Sequence, residues 1–312
     1  MKMKKNLFAD RCHWAAWVAL VLVCSFAGVL SADPQPTPLP DGVLLFSGQR
    51  DGRWDIYTWD PDPAPEGSIG RITQTDAPEG NPVWWARNKM VVCSQQWDDG
   101  RFVIEGFDLN GKEIWHQATP RASLGWPQPS PWDNRILAVR EDPQTGEIQP
   151  GMMEFPRLGY KTFPQPGVSG GQMAWIDPDE ILLTRVASDE FDLCIRSIVT
   201  NEEKVIVHGG QNWLAAASPN GGPPFFFSRR VGQICSIFQL SHKSGVWEYD
   251  DFSKARVYDW QPSVTPGAEG VIYLSLRNGR FRVIYRPIGE APEREIPLAG
   301  FSAIYHPSWI RP

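Results

Sequence analysis

Hydrophobic and polar positions in this chain come in short runs of β-branched, aromatic and aliphatic residues, repeatedly broken by a glycine turn. "VLLFSG", "MVVCSQ" and "VIYLSL" precede Asp51-Gly52, Asp99-Gly100 and Asn278-Gly279, and "RWDIYTWD", "RFVIEGFD" and "RFRVIYRP" follow them. Such runs suit half-buried strands. Asp-Gly and Asn-Gly pairs tolerate the positive φ that a tight hairpin requires, so each unit predicts two antiparallel strands and their turn. Weaker copies lie between them: "RILAVRE" before Gly146, "EILLTRV" before Ser188-Asp189, and "PFFFSRR" before Gly232. Taking Gly52, Gly100, Gly146, Asp189, Gly232 and Gly279 as equivalent, the steps are 48, 46, 43, 43 and 47 residues.

A period near 45 residues in an all-β chain predicts a propeller, because one sheet of four strands cannot bury both of its faces alone. The outer strand of each repeat reads as "GRITQ", "KEIWHQ", "YKTFP", "EKVIVH", "VWEYD" and "REIPL". The inner one reads as "NPVWWA", "QPSPWD", "QMAWID", "NWLAAAS", "QPSVTP" and "HPSWIR". The expectation is a six-bladed β-propeller of four-stranded antiparallel blades over residues 41 to 312. Because the repeats start at a second strand and stop at an inner one, residues 302 to 310 are expected to join residues 43 to 74 in one closing blade.

Ahead of the repeats, "MKMKK", the apolar "WAAWVALVLVCSFAGVL" and the small-residue end "LSA" have the layout of an export signal over residues 1 to 32, with an uncleaved N-terminal anchor as the alternative. Prolines 34, 36, 38 and 40 then predict an extended tether over residues 33 to 40. The leader carries a net charge of +3, so removing it takes the chain from −6 to −9. That excess of acid disfavours nucleic-acid binding, which needs Lys and Arg against phosphate. Cys93, Cys194 and Cys235 lie on separate strand runs without a CxxC pair, and are expected to be buried free thiols.

"LLFSGQRDGRWDIYTWD", followed by Arg71-Ile72-Thr73 and Asn81-Pro82-Val83-Trp84, resembles the repeat of the TolB-type propellers. Their blades run through a strand ending in Phe-Ser, an Asp-Gly turn, an Ile-Tyr strand, a Leu-Thr strand and a Pro-x-Trp inner strand. The first copy matches closely and the others partly. The Ser-Pro-Asp-Gly turn usual after the Trp survives only as Ser218-Pro219-Asn220-Gly221. TolB also carries an α/β domain where this chain has its proline segment. The resemblance implies a binding role in the cell envelope, with a periplasmic or secreted location and an envelope protein, peptide or glycan as partner. The chain is expected to act as a monomer, meeting a membrane only if its leader is retained.

Nothing in the sequence matches a nucleophile elbow, a phosphate loop, a zinc-protease helix or a calcium hand. No catalytic residue, metal or cofactor is therefore assigned, and "DPDPAPEG" (residues 60 to 67) reads as a polar turn. The residues expected to open the inner strands are Asn81, Gln128, Gln172, Asn212, Gln261 and His306, all neutral hydrogen-bonding groups. They are expected to ring one mouth of the channel, beside Trp84, Trp126, Trp213, Tyr258, Trp260 and Tyr305, of which Trp126, Trp213 and Trp260 are the candidates for exposed aromatic contacts. The equal alternative is that they satisfy strand-end backbone groups. His306 is expected to titrate near neutrality and to modulate binding between about pH 5.5 and 7.5. Trp85, Trp132, Trp175 and Trp309 are assigned to the core. A propeller-fold polysaccharide lyase or hydrolase is the competing reading, with Asp76, Glu79 and Asp259 as its nearest carboxylates. Five of the six ring positions cannot change protonation, which favours binding.

Overall fold

The structure, a computed structural model, describes residues 37–62, 67–117, 123–142, 145–157, 159–164, 172–187, 190–255 and 257–312. The export signal, the first part of the tether and four residues of the "DPDPAPEG" turn lie outside the described residues. Two hairpins show the predicted turn chemistry most plainly. Asp51 and Gly52 (φ 53° and 80°) and Asn278 and Gly279 (φ 50° and 74°) both hold positive φ, and Arg50↔Arg53 and Arg277↔Arg280 pair across them. This is the two-residue turn whose twist matches that of its strands.

The first sheet orders β24-β1-β2-β3, where β1 (Val43–Arg50), β2 (Arg53–Asp60) and β3 (Ser68–Arg71) come from one end of the chain and β24 (Ala303–Ile310) from the other. Next come β4 (Glu79–Trp85), β5 (Met90–Gln96), β6 (Phe102–Phe107) and β7 (Glu113–Gln117), then β8 (Ser123–Pro129), β9 (Arg135–Glu141), β10 (Ile148–Glu154) and β11 (Tyr160–Thr162). A further four-stranded sheet holds β20 (Asp259–Val264), β21 (Gly270–Arg277), β22 (Arg280–Pro287) and β23 (Arg294–Glu295).

The remaining strands are β12 (Ala174–Trp175), β13 (Glu180–Ala187), β14 (Glu190–Ser197), β15 (Glu203–Val207), β16 (Gln211–Ala216), β17 (Phe225–Val231), β18 (Ile234–Lys243) and β19 (Val246–Asp251). They form one eight-stranded sheet, ordered β12-β13-β14-β16-β17-β18-β19 with β15 also on β14. The expected six four-stranded antiparallel blades are thus corrected to four, with a single eight-stranded sheet beside them. The cause is local. Gly209 and Gly210 hold positive φ (75° and 77°), turning the chain so that β16 starts beside β14 in a parallel pair, Phe191↔Gln211. The Phe191 N–H donates to Gly210 O at 2.9 Å, and Asn212 Nδ2 donates to Phe191 O at 2.7 Å and Gly209 O at 2.9 Å.

The sheets follow one another in chain order and pack face to face. Leu44, Trp59 and Trp309 meet Ile272, Leu274 and Tyr285 of the last sheet, while Leu45 and Ile56 meet Val91 and Phe107 of the second. Each such apolar side chain, wholly removed from water, contributes about 1.5–3 kcal/mol. The end of the proline segment is docked: Thr37 Oγ1 donates to Pro292 O at 2.6 Å, Arg294 Nη1 donates to Thr37 O at 3.1 Å, and Leu39 packs on the core formed by Leu44, Trp59, Trp309 and Tyr285.

Cys93, Cys194 and Cys235 are free and fully buried. Burial pushes the Cys93 thiol well above its ordinary value and the other two up to about 12. A thiol reagent should leave all three unmodified in the native protein and modify all three in denaturant, as read by peptide mapping. Native-state labelling of any one at the denatured rate would contradict their placement.

Candidate functional site: a neutral cavity at the ring axis

In five inner strands the ladder to the next strand slips, between Gly80 and Val83, Gly125 and Gln128, Trp213 and Ala216, Trp260 and Ser263, and Tyr305 and Ser308. Each slip holds one residue with left-handed backbone: Asn81 (φ 53°), Trp126 (58°), Leu214 (56°), Gln261 (54°) and His306 (52°). Four of the five precede a proline, namely Pro82, Pro127, Pro262 and Pro307. Proline has no N–H to give a ladder, so it suits a bulge, and a bulge re-aims the side chain beside it.

The inner strands surround a cavity of about 340 Å³. Of the expected ring, Asn81, Gln128, Gln172, Gln261 and His306 line it together. Asn212 does not. It is fully buried where β14 meets β16, and its Oδ1 accepts from Arg229 Nη1 at 2.9 Å. Trp213 packs edge-on to Phe191 (5.8 Å between centroids) and Trp260 lies among Tyr258, Phe281 and Tyr305, both away from the cavity lining. Of the aromatics expected beside the ring, Trp84 and Trp126 line it. Of the four tryptophans assigned to the core, Trp85, Trp175 and Trp309 are buried, each donating Nε1 to a backbone carbonyl, but they also line the cavity, and Trp132 is only half-buried, against Trp175.

The floor of the cavity is neutral. His306 meets Trp126 edge to face (5.1 Å, 86°), and its backbone N–H donates to Gln261 Oε1 at 2.8 Å. Burial lowers the His306 pKa to about 3, which corrects the expected titration near neutrality: its imidazole is uncharged throughout the physiological range. Both ring nitrogens of His306, Asn81 Oδ1, Trp84 Nε1 and Ser308 Oγ are enclosed, with no hydrogen-bond partner among the described residues. No Asp or Glu is among the described residues lining the cavity. Its charges are Arg87 and Arg311, on exposed residues at the open side. Arg87 donates to Trp132 O at 3.1 Å and Arg311 pairs with Glu269 at 2.7 Å.

The carboxylates considered for acid–base work lie elsewhere. Glu79 is buried, accepting from Thr73 (3.0 Å), Gln95 (3.1 Å) and Thr75, and burial raises its pKa. Asp259 is buried and likewise raised, while Asp76 is fully exposed beside Arg53. Away from the cavity, ligand atoms of Glu190, Asp192 and His208 lie within 4.8 Å of one another. His208 Nδ1 is 2.8 Å from Asp192 Oδ1, and Arg185 holds Oδ2 at 3.0 Å, an arrangement explained as an ion-pair network.

No family model matches the sequence, and no curated protein matches it. Solved structures do. TolB from Acinetobacter baumannii is 15% identical with a TM-score of 0.69, over 86% of this chain and 66% of that one, so this chain spans just under two thirds of its length. A protein described as TolB from Agrobacterium tumefaciens is 14% identical with a TM-score of 0.62, over 82% and 89% of the two chains. A puromycin-hydrolysing peptidase of Mycobacterium tuberculosis is 14% identical with a TM-score of 0.56, over 86% of this chain and 44% of that one. At these identities the likeness is one of fold. In fold, the chain is a TolB-like β-propeller.

Proposed function

We propose that this chain is an exported, non-catalytic binding module of the cell envelope, periplasmic or secreted, that takes hold of a protein, peptide or glycan in the cavity at its axis. The observation that carries this reading is the cavity itself, around which neutral hydrogen-bonding residues (Asn81, Gln128, Gln172, Gln261 and His306) and the aromatic Trp84 and Trp126 converge. A concave site with apolar and aromatic walls and a few convergent polar groups is what an uncharged ligand needs. The leader pattern of residues 1 to 32 and the TolB-like fold support the location. Catalysis receives no such support, since the cavity has no carboxylate among its described lining residues and its histidine is held neutral.

The test is quantitative capture of envelope peptides and glycans by the full chain, repeated with His306→Ala and Trp84→Phe proteins of unchanged melting temperature. Each substitution should weaken capture by about tenfold, the loss typical of removing a side chain that contributes at the centre of a binding site. Trp213→Ala should leave it unchanged. Because the floor is uncharged, affinity should vary by less than about twofold from pH 5.5 to 8 and depend weakly on salt. Full capture by both cavity variants would move the site elsewhere. Turnover of a captured glycan would favour the lyase or hydrolase reading.

A further inference from the structure

We infer that Gln128 and Gln172 are the residues by which this cavity recognises its partner, and that they recognise the backbone of an extended, uncharged peptide segment; this rests on the binding reading above. The polar residues of the lining divide by what their side chains can reach. Gln261 Oε1 is taken by the His306 N–H at 2.8 Å, while Asn81 Oδ1, both His306 ring nitrogens and Ser308 Oγ are enclosed. Gln128 and Gln172 differ. Both are half-buried in the lining, and their carboxamides are neither enclosed nor hydrogen-bonded to any described residue. The Ser263 hydroxyl, on β20, is open to the cavity in the same way.

The fold brings the two carboxamides to one stretch of wall. Gln128 is on β8 and Gln172 lies two residues before β12, in neighbouring sheets whose Leu137, Val139, Met173 and Trp175 share one core. Trp175 Nε1 donates to Gln128 O at 2.9 Å. Gln172 is three residues before Trp175, at most about 10 Å of chain. An extended segment advances about 3.3 Å per residue, so three or four residues pass both side chains.

A carboxamide donates through its N–H and accepts at its carbonyl. An extended residue holds its own N–H and C=O on one side, which is how two antiparallel strands exchange a pair of bonds. Each glutamine can therefore meet one extended residue with two hydrogen bonds. A hydrocarbon satisfies neither half. A cation finds no carboxylate among the described lining residues, and an anion leaves the carboxamide oxygens opposed. A sugar hydroxyl turns one donor on a rotating bond and lacks the fixed pair.

The test titrates N-acetyl-trialanine methylamide into the full chain, beside its counterpart with ester oxygens in place of the amide N–H groups, and beside maltotriose. Binding is followed by NMR through the side-chain NH₂ resonances of Gln128 and Gln172, assigned by their loss in Gln128→Met and Gln172→Met, and through the Trp84 indole. The peptide should move both glutamine resonances and bind about tenfold more tightly than the ester or maltotriose. Each Met variant should narrow the preference for peptide over ester by about threefold.

Ester or maltotriose binding as tightly as the peptide would overturn the backbone assignment and leave the cavity as the site. Full preference kept by a folded Met variant would overturn the assignment of that glutamine. If neither variant folds, the parent chain decides: peptide that moves the Trp84 indole and leaves both glutamine resonances in place overturns the inference. Resonances that no probe moves would overturn the inference and the cavity reading together.

Discussion

Deleting residues 302–312 should abolish cooperative unfolding. The deletion removes β24, which pairs with β1 from Val43↔Ile310 to Gln49↔Ala303. With it go Trp309, 1% exposed and edge-on to Trp59, and the buried Ile304 and Ile310. These side chains touch both flanking sheets, so their loss uncovers Leu44 and Trp59 on one side and Leu45 and Ile56 on the other. Three large apolar side chains at about 1.5–3 kcal/mol each, with one ladder of backbone bonds, match the whole stability of a typical domain, about 5–15 kcal/mol. Trp309→Ala alone should cost about 3–5 kcal/mol, the range for emptying a buried Trp site. Thermal melts followed by near-ultraviolet circular dichroism decide it. A truncated chain that melts sharply at the parent temperature would show that β24 does not close the ring.

The second large effect is a stability that falls as the pH rises through neutrality, and Glu105 is its main source. This residue is on β6, 6% exposed, and its carboxyl is pushed up to about 7 by burial and then by repulsion from Glu113 and Glu79. Its unfolded value is near 4.5. An acid whose folded pKa is raised stabilises the fold fully below its unfolded pKa and loses that contribution as the pH climbs through the folded value. At about 1.36 kcal/mol per pH unit, the loss between pH 4.5 and 8 is at most about 3 kcal/mol. Glu105→Gln should therefore be close to the parent at pH 5 and more stable at pH 8.5, by several degrees at about 2–4 °C per kcal/mol. His306 makes the opposite contribution. Its folded pKa is depressed, so its share of stability is present above about 6.5 and lost as the pH falls toward about 3. A Glu105→Gln difference that is equal at both pH values would show that the carboxyl is not desolvated.

What was legible in the sequence was whatever a short stretch decides for itself. Asp51-Gly52 and Asn278-Gly279 specify their hairpins, because few other pairs hold positive φ at both positions. His306, Gln261 and Asn81 were found as polar residues opening inner strands, whereas the bulges that set their backbone were not foreseen, although a proline after each of them marks the place. Asn212 was misplaced because a polar residue at a strand start reads as exposed, whereas here it is buried to tie β14 to β16. Counting equivalent turns finds hairpins and not the ladders between them, so the eight-stranded sheet was not foreseen. The neutrality of His306 was out of reach for a similar reason: the desolvation behind it comes from residues far away in the chain.

Val43 and Ile310 face each other in register, and Arg311, the next residue, already lines the open side of the cavity. The chain before Val43, however, is carried to the outer strand β23, where Thr37 is held by Pro292 and Arg294. A leash on the N-terminal side would therefore grip the ring by its rim and leave the cavity clear, whereas one on the C-terminal side would start beside the cavity itself.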